Sequence, residues 1–488
     1  MSATDVRRPN ILLIMADQLR RDALGVYGSW ADTPHIDELA RSSTIFDRAV
    51  TVSPACQPAR LSLAMGQYPH NFGLWSNGPG FVPAGAPTWM SAIRDAGYDT
   101  STFGKLHLGR LGKDLRKNED HAVSIGFDTV NEALDARGCF AKMSHMTQAW
   151  ADAGLLEAFR DDHADRLANA PLEARPSMLP LDLYYDVYVP SRAIDHIAAL
   201  PADRPWFCNL SFPGPHEPWD APEPYASMYA PEDAPTPVPV ATDAEPAAPS
   251  YLDKMLRGVA HRDRAVIAGL QANYAGSVRL IDDQVGRVLE LIRERGEWEH
   301  TVIAITSDHG EMNGDHGRVY KGNFYQSAVS VPLIIRIPGV TRGERSAALV
   351  ELHDVGPTLA ELAAAPLVVE QFAQSLVPSC HDPTAPARAV HISEYKRDYM
   401  VSDGRYRLVV NRDADSVVLH DLQQDPGEQH NVLTGHRDVE LELREGLFRA
   451  ITRAQLTAKR PGNVRAFRLQ KAEAQARLAP DQPSGVPE

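Results

Sequence analysis

Apolar and polar positions along this chain come in blocks rather than singly. Asn10–Ala16 (NILLIMA) is a continuous apolar run that stops at Asp17, the pattern of a parallel strand covered on both faces. Trp206–Phe212 and residues 301–306 repeat it, and residues 98–103 and 331–337 are two further strand candidates. Thr33-Pro34 and Pro87-Thr88 open helices between them, the second running to about residue 96 before Gly97. The longest helix is predicted over about 264–294, where Val278, Ile281, Val285, Val288, Leu289 and Ile292 recur at three- and four-residue spacing. Strands alternating with helices imply an α/β fold with a largely parallel sheet between helical layers. Chemistry in such sheets collects at the carboxyl ends of the strands. Four of these ends carry reactive side chains: Asp17-Gln18, Lys105 with His107, His216, and Asp308-His309.

The pattern also divides the chain. A core is expected over 1–380, with an insertion at about 110–185 where strand alternation fades and a Pro- and Ala-rich surface loop at 221–250. Beyond it, short strands at 389–393, 407–411 and 417–419 predict a small antiparallel sheet in a C-terminal α+β subdomain, 381–458. Residues 459–488 read as a basic helix and a loose arm.

Composition narrows the class. With 43% hydrophobic and 23% charged residues over 488 positions, the chain is ordinary globular protein, not disordered or fibrous. It is long enough to bury a core without a disulfide or metal staple. A net charge of −15 argues against broad attraction to nucleic acid or an anionic membrane. Cys56, Cys139, Cys208 and Cys380 show no CxxC spacing, and residues 11–15 are too short for a signal-peptide core. The expectation is a reduced, cytoplasmic protein with neither nucleic acid nor membrane as partner.

The sharpest chemical signal is Cys56-Gln57-Pro58-Ala59-Arg60, placed in a Pro-rich loop ahead of a helix at 61–65 and Gly66. It occurs in order with Pro9-Asn10 and Asp17, Gly104-Lys105-x-His107-Leu108-Gly109, Pro215-His216-x-Pro218 and Ser307-Asp308-His309-Gly310-Glu311. Gly314-Asp315-His316-Gly317 with Lys321, and Leu419-His420-Asp421-Leu422 to Asp425-Pro426-Gly427-Glu428, complete the series. Over residues 9–432 the chain resembles the formylglycine-dependent sulfatases of the alkaline phosphatase superfamily. The resemblance implies a three-layer α/β/α sandwich and hydrolysis of a small-molecule sulfate ester. It implies that a formylglycine-generating enzyme oxidises Cys56 to formylglycine (3-oxoalanine), whose hydrate attacks sulfur with one hydroxyl and expels sulfate through the other.

Residue by residue, the resemblance assigns the metal site to Asp17, Gln18, Cys56, Asp308 and His309. One divalent cation is implied: calcium first, with manganese or magnesium as alternatives. Gln18 and His309 depart from the commoner Asp and Asn of the family, and an imidazole ligand shifts the balance towards manganese. Arg60 would hold the nucleophile, Lys105 and Lys321 the sulfate oxygens, and His107 and His216 would move protons. The chain has only nine lysines, so two at motif positions carry weight. Asp308 is placed to take the attacking hydroxyl's proton, His316 reads as a loop stabiliser, and Asn77 as a polar loop residue. Two rivals stay open: a phosphonate monoester or phosphodiester hydrolase on the same fold, and an idle binding protein whose Cys56 is never converted. The basic arm beyond residue 459 predicts a homo-oligomer, a dimer or tetramer.

Overall fold

The computed structural model describes residues 8–110, 112–169, 172–240, 263–367, 371–386 and 388–458. Its centre is an eight-stranded sheet in the order β4-β3-β5-β1-β6-β7-β2-β8. The strands are β1 (Asn10–Ala16), β2 (Thr44–Val50), β3 (Asp99–Lys105), β4 (Thr129–Ala133), β5 (Trp206–Phe212), β6 (Thr301–Ser307), β7 (Leu333–Arg336) and β8 (Glu344–Glu351). All are mutually parallel except β7, which opposes both its neighbours. Every residue of β1, β5 and β6 is buried, as their unbroken apolar runs require.

Successive residues of each strand face opposite layers. Leu12, Ile14, Leu210, Ile303 and Ile305 pack on one side with helices Tyr185–Ala199 and Arg264–Glu294. Ile11, Leu13, Met15, Phe207, Val302 and Ala304 pack on the other with helices Cys56–Met65, Trp89–Asp95 and Val355–Leu362. Fully burying one such aliphatic side chain is worth about 1.5–3 kcal/mol. Register then places the chemistry: Ala16 pairs with Phe212 on one side and Ser307 on the other, so Asp17, Pro213 and Asp308 leave the sheet at one level. Gly104 pairs with Ser211, which brings Lys105 to the same edge.

The segment 110–185 does more than cover the core. It supplies β4, which pairs in parallel with β3 at the sheet edge. A second, antiparallel sheet runs β12-β11-β10-β9 from β9 (His391–Tyr395), β10 (Asp398–Ser402), β11 (Tyr406–Val410) and β12 (Ser416–Asp421). Helix Arg437–Ala458 covers it with Leu443, Leu447 and Ala454, and Val52 and Tyr68 of the larger unit join the same cluster. The arm at 459–488, with its predicted role in assembly, and the last third of the 221–250 loop lie outside the described residues. Among the described residues no helix is long and apolar enough to cross a membrane.

Candidate active site

Asp17 and Asp308, each 0% exposed, stand one residue beyond β1 and β6. The Gln18 backbone is left-handed, φ 68°, and aims its N–H at Asp308 Oδ1 at 3.0 Å. His309 N–H reaches the same oxygen at 3.0 Å, and Arg60 Nε donates to Oδ2 at 2.8 Å. With both oxygens engaged, Asp308 is poorly set up as the base expected from the sequence. Cys56 is not in a loop: it is the first residue of helix Cys56–Met65, with Pro58 in the first turn, where its missing N–H breaks no helical bond. The N–H of Gln57 in that turn is taken by Asn77 Oδ1 at 3.0 Å. Arg60, four residues after Cys56, projects from the same face. It also donates through Nη1 to Ser211 Oγ at 2.9 Å and to the Lys105 carbonyl.

Lys105 is 1% exposed and its Nζ contacts Asp17 Oδ2 and, at 2.6 Å, Asp135 Oδ2. Burial works against its charge, but Asp135 and Asp17 outweigh burial and hold the ammonium well above the usual lysine range. His107 is pushed down to about 3, by burial first and by Lys105 second, so it is a neutral imidazole. His216 directs Nδ1–H at the Glu217 carbonyl, 2.9 Å, leaving Nε2 to accept from Lys321 Nζ at 2.7 Å. Lys321 also donates to Gln18 Oε1, while Gln18 Nε2 points to Glu217 (3.0 Å) and Glu311 (2.5 Å). Asp17, Gln18, Cys56, Arg60, Lys105, His216, Lys321, Asp308 and His309 are thus linked by hydrogen bonds and ion pairs into one cluster, whereas the His107 side chain, only partly buried, makes no such bond to it.

Donor chemistry can be checked against a divalent cation. One ligand atom from each of Asp17, Cys56, Asp308 and His309 lies within 4.8 Å of the others, and all four residues are buried. His309 gives Nδ1–H to the Gly310 carbonyl at 2.9 Å, so Nε2 keeps its lone pair, 3.1 Å from Cys56 Sγ and 3.7 Å from Asp17 Oδ1. Asp17 Oδ1 is buried with no hydrogen-bond partner, although burial opposes its charge and Lys105 holds the group ionised. An orphaned anionic oxygen beside an imidazole nitrogen that meets only the Cys56 thiol fits a cation of the oxygen- and nitrogen-binding kind.

Several participants were not anticipated. Asp135 pairs Lys105, Arg137 pairs Glu217 at 2.9 Å, and Glu311 receives Gln18. Glu217 and Glu311 stood inside motifs already singled out, whereas Asp135 and Arg137 belong to 110–185 and carry no local pattern. His316 stacks on Tyr325 at 3.7 Å, in keeping with a role in holding its loop.

Comparison with known proteins gives this geometry a family. The sulfatase family model matches residues 9–365, and a second model, N-sulphoglucosamine sulphohydrolase, C-terminal, matches 314–453. The chain belongs to the sulfatase family. An arylsulfatase of Clostridium perfringens is 30% identical over 377 residues, covering 73% of this chain and 75% of its own. A choline-sulfatase of Rhizobium meliloti is 27% identical over 452 residues, 88% and 83% of the two chains. Among solved structures, a phosphonate monoester hydrolase of Agrobacterium radiobacter superposes with a TM-score of 0.74 at 25% identity, covering 92% and 96%. The sulfatase is accordingly an enzyme of the alkaline phosphatase superfamily acting on sulfate esters.

Proposed function

We propose that this sulfatase cleaves a small sulfate monoester with a formylglycine derived from Cys56, beside one divalent cation held by Asp17, Gln18, Asp308, His309 and the modified residue. The observation that carries it is the orphaned Asp17 oxygen beside the His309 nitrogen that meets the Cys56 sulfur. Calcium is the first candidate and manganese the second, given the imidazole. When bound, the cation would supply Lewis-acid stabilisation of negative charge at the reacting oxygen.

The chain's own groups do the rest. Arg60, Lys105 and Lys321 surround the thiol position with three cations, so a dianionic ester finds local positive potential despite the net charge. The Lys321–His216 pair can hand a proton to the departing alkoxide, while His107, pushed down to about 3, stays neutral and is a poor proton acceptor. Cys56, Pro58 and Arg60 are buried, so the modifying enzyme has to read them before this segment folds.

A second reading, phosphonate monoester hydrolysis, is favoured by the Agrobacterium radiobacter likeness. Purified protein whose Cys56 peptide shows the mass loss of thiol-to-aldehyde conversion should hydrolyse an aryl sulfate faster than phenylphosphonate. The reverse ranking would replace the sulfate reading, and an unconverted yet active Cys56 would remove formylglycine from it.

A further inference from the structure

The β9–β10 hairpin carries two cations that the chemistry above does not use. Tyr395 pairs with Asp398 across it, so its loop is Lys396 and Arg397 alone. Both have left-handed backbone, φ 50° and 72°. Two successive residues of that kind form the tight hairpin turn that asks for Asn-Gly, because a side chain at either position is strained. Strain of this sort persists where the surroundings hold it, and it concentrates at functional positions.

The surroundings here are the borders of the active site. Lys396 N–H donates to the Trp75 carbonyl at 3.1 Å, and the Arg397 guanidinium lies over the Trp75 ring, 5.3 Å from its centroid. Trp75 is two residues from Asn77, which holds the turn starting at Cys56. A Cβ on Gly322, next to Lys321, would sit 2.9 Å from Tyr395 Oη. The hairpin therefore touches both the Trp75–Asn77 segment, which bonds the turn of Cys56, and the loop that carries Lys321. Arg397 is exposed and, among the described residues, has no carboxylate partner.

We propose that Arg397, with Lys396 beside it, binds a second anionic group on the alcohol portion of the ester, and so selects sulfate esters of carboxylated or otherwise anionic alcohols. This rests on the sulfate-ester reading above. A quaternary ammonium alcohol would meet repulsion at the same rim.

The test compares kcat/KM of full-length, Cys56-converted enzyme on phenyl sulfate and on 4-carboxyphenyl sulfate. The wild type should prefer the carboxylated ester by on the order of tenfold, through KM, and the preference should shrink as salt is raised. Arg397→Gln should remove most of it. Lys396→Asn with Arg397→Gly installs the favoured turn, so it should melt at a higher temperature while losing the preference. A wild-type ratio near one, or a ratio preserved in the Asn-Gly variant, overturns the selectivity while leaving the sulfatase reading intact. Failure to hydrolyse either sulfate ester overturns both.

Discussion

Two of the clusters of buried charge among the described residues are built to opposite specifications. At the seam between the sheets, Glu351 Oε1 takes the Ile392 N–H at 2.7 Å, and Oε2 takes Tyr68 Oη at 2.7 Å and Arg388 Nη1. Asp354 receives Gln374 N–H at 2.8 Å, Glu351 N–H at 2.9 Å and Arg388 Nη2 at 2.5 Å. Every carboxylate oxygen there has a donor from within the chain. The active site instead leaves Asp17 Oδ1 without one, beside Cys56 and His309. At the seam the carboxylates are closed off, though Arg388 Nε and His353 Nδ1 are not hydrogen-bonded, while at the active site a carboxylate oxygen is left open to something that binds. Charge alone does not separate the two; satisfaction of each oxygen does.

The sharpest way to break this contrast is at the nucleophile. Cys56→Ala should reduce turnover by at least about a thousandfold while the melting temperature barely moves, because only a small thiol is lost from a large core. Cys56→Ser should give one burst of product and stall. Full multiple turnover in the serine variant would end the formylglycine mechanism.

At the seam the outcome should invert. Arg388→Leu leaves Glu351 and Asp354 buried without their cation and should cost about 3–5 kcal/mol of stability. The fraction that remains folded should keep kcat/KM within a few-fold. Chemical denaturation alongside active-site titration checks both, and a large drop in kcat with unchanged stability would put the seam in the catalytic machinery.

The difference between the clusters also explains what could be read in advance. β1, β5 and β6 are apolar throughout and end abruptly in Asp17, Pro213 and Asp308, so strand and strand-end chemistry were visible together. β2 is interrupted by Asp47-Arg48, the two of its residues that are not buried, and β8 begins Glu-Arg-Ser at an end that meets solvent, and neither stood out. Pro58 suggested a loop because proline usually stops a helix, yet in a first turn it does not. Asp135 joins Lys105, and Arg388 joins Glu351, from 30 and 37 residues away, contacts that only the assembled sheet creates.

A gentler probe uses Glu132, which accepts the His107 N–H at 3.0 Å and whose pKa burial pushes up from 4.5 to about 7. Between those values the folded state binds more protons than the unfolded one, so stability falls as pH rises from roughly 4.5 to 7. Glu132→Gln should flatten that slope and be more stable than wild type at pH 8, by on the order of 1–3 kcal/mol. Unfolding curves across this range that superpose for the two proteins would show that the carboxyl stays ionised in the fold.

The smallest effect should come from Asn77, where fold and chemistry touch through one hydrogen bond. Helix Cys56–Met65 has no side-chain cap from Ala55, and the Gln57 N–H is satisfied only from across the loop, by Asn77 Oδ1. Asn77→Ala removes that acceptor and should cost about 0.5–2 kcal/mol, as other helix-start acceptors do. Asn77→Asp keeps the oxygen and adds a negative charge at the helix start, which the helix dipole favours. It should retain stability, yet the same charge beside Cys56 opposes an anionic ester and should raise KM several-fold. Stability lost in Ala but kept in Asp, with KM moved more in Asp than in Ala, is the expected signature. Equal KM in all three proteins would confine Asn77 to holding the turn.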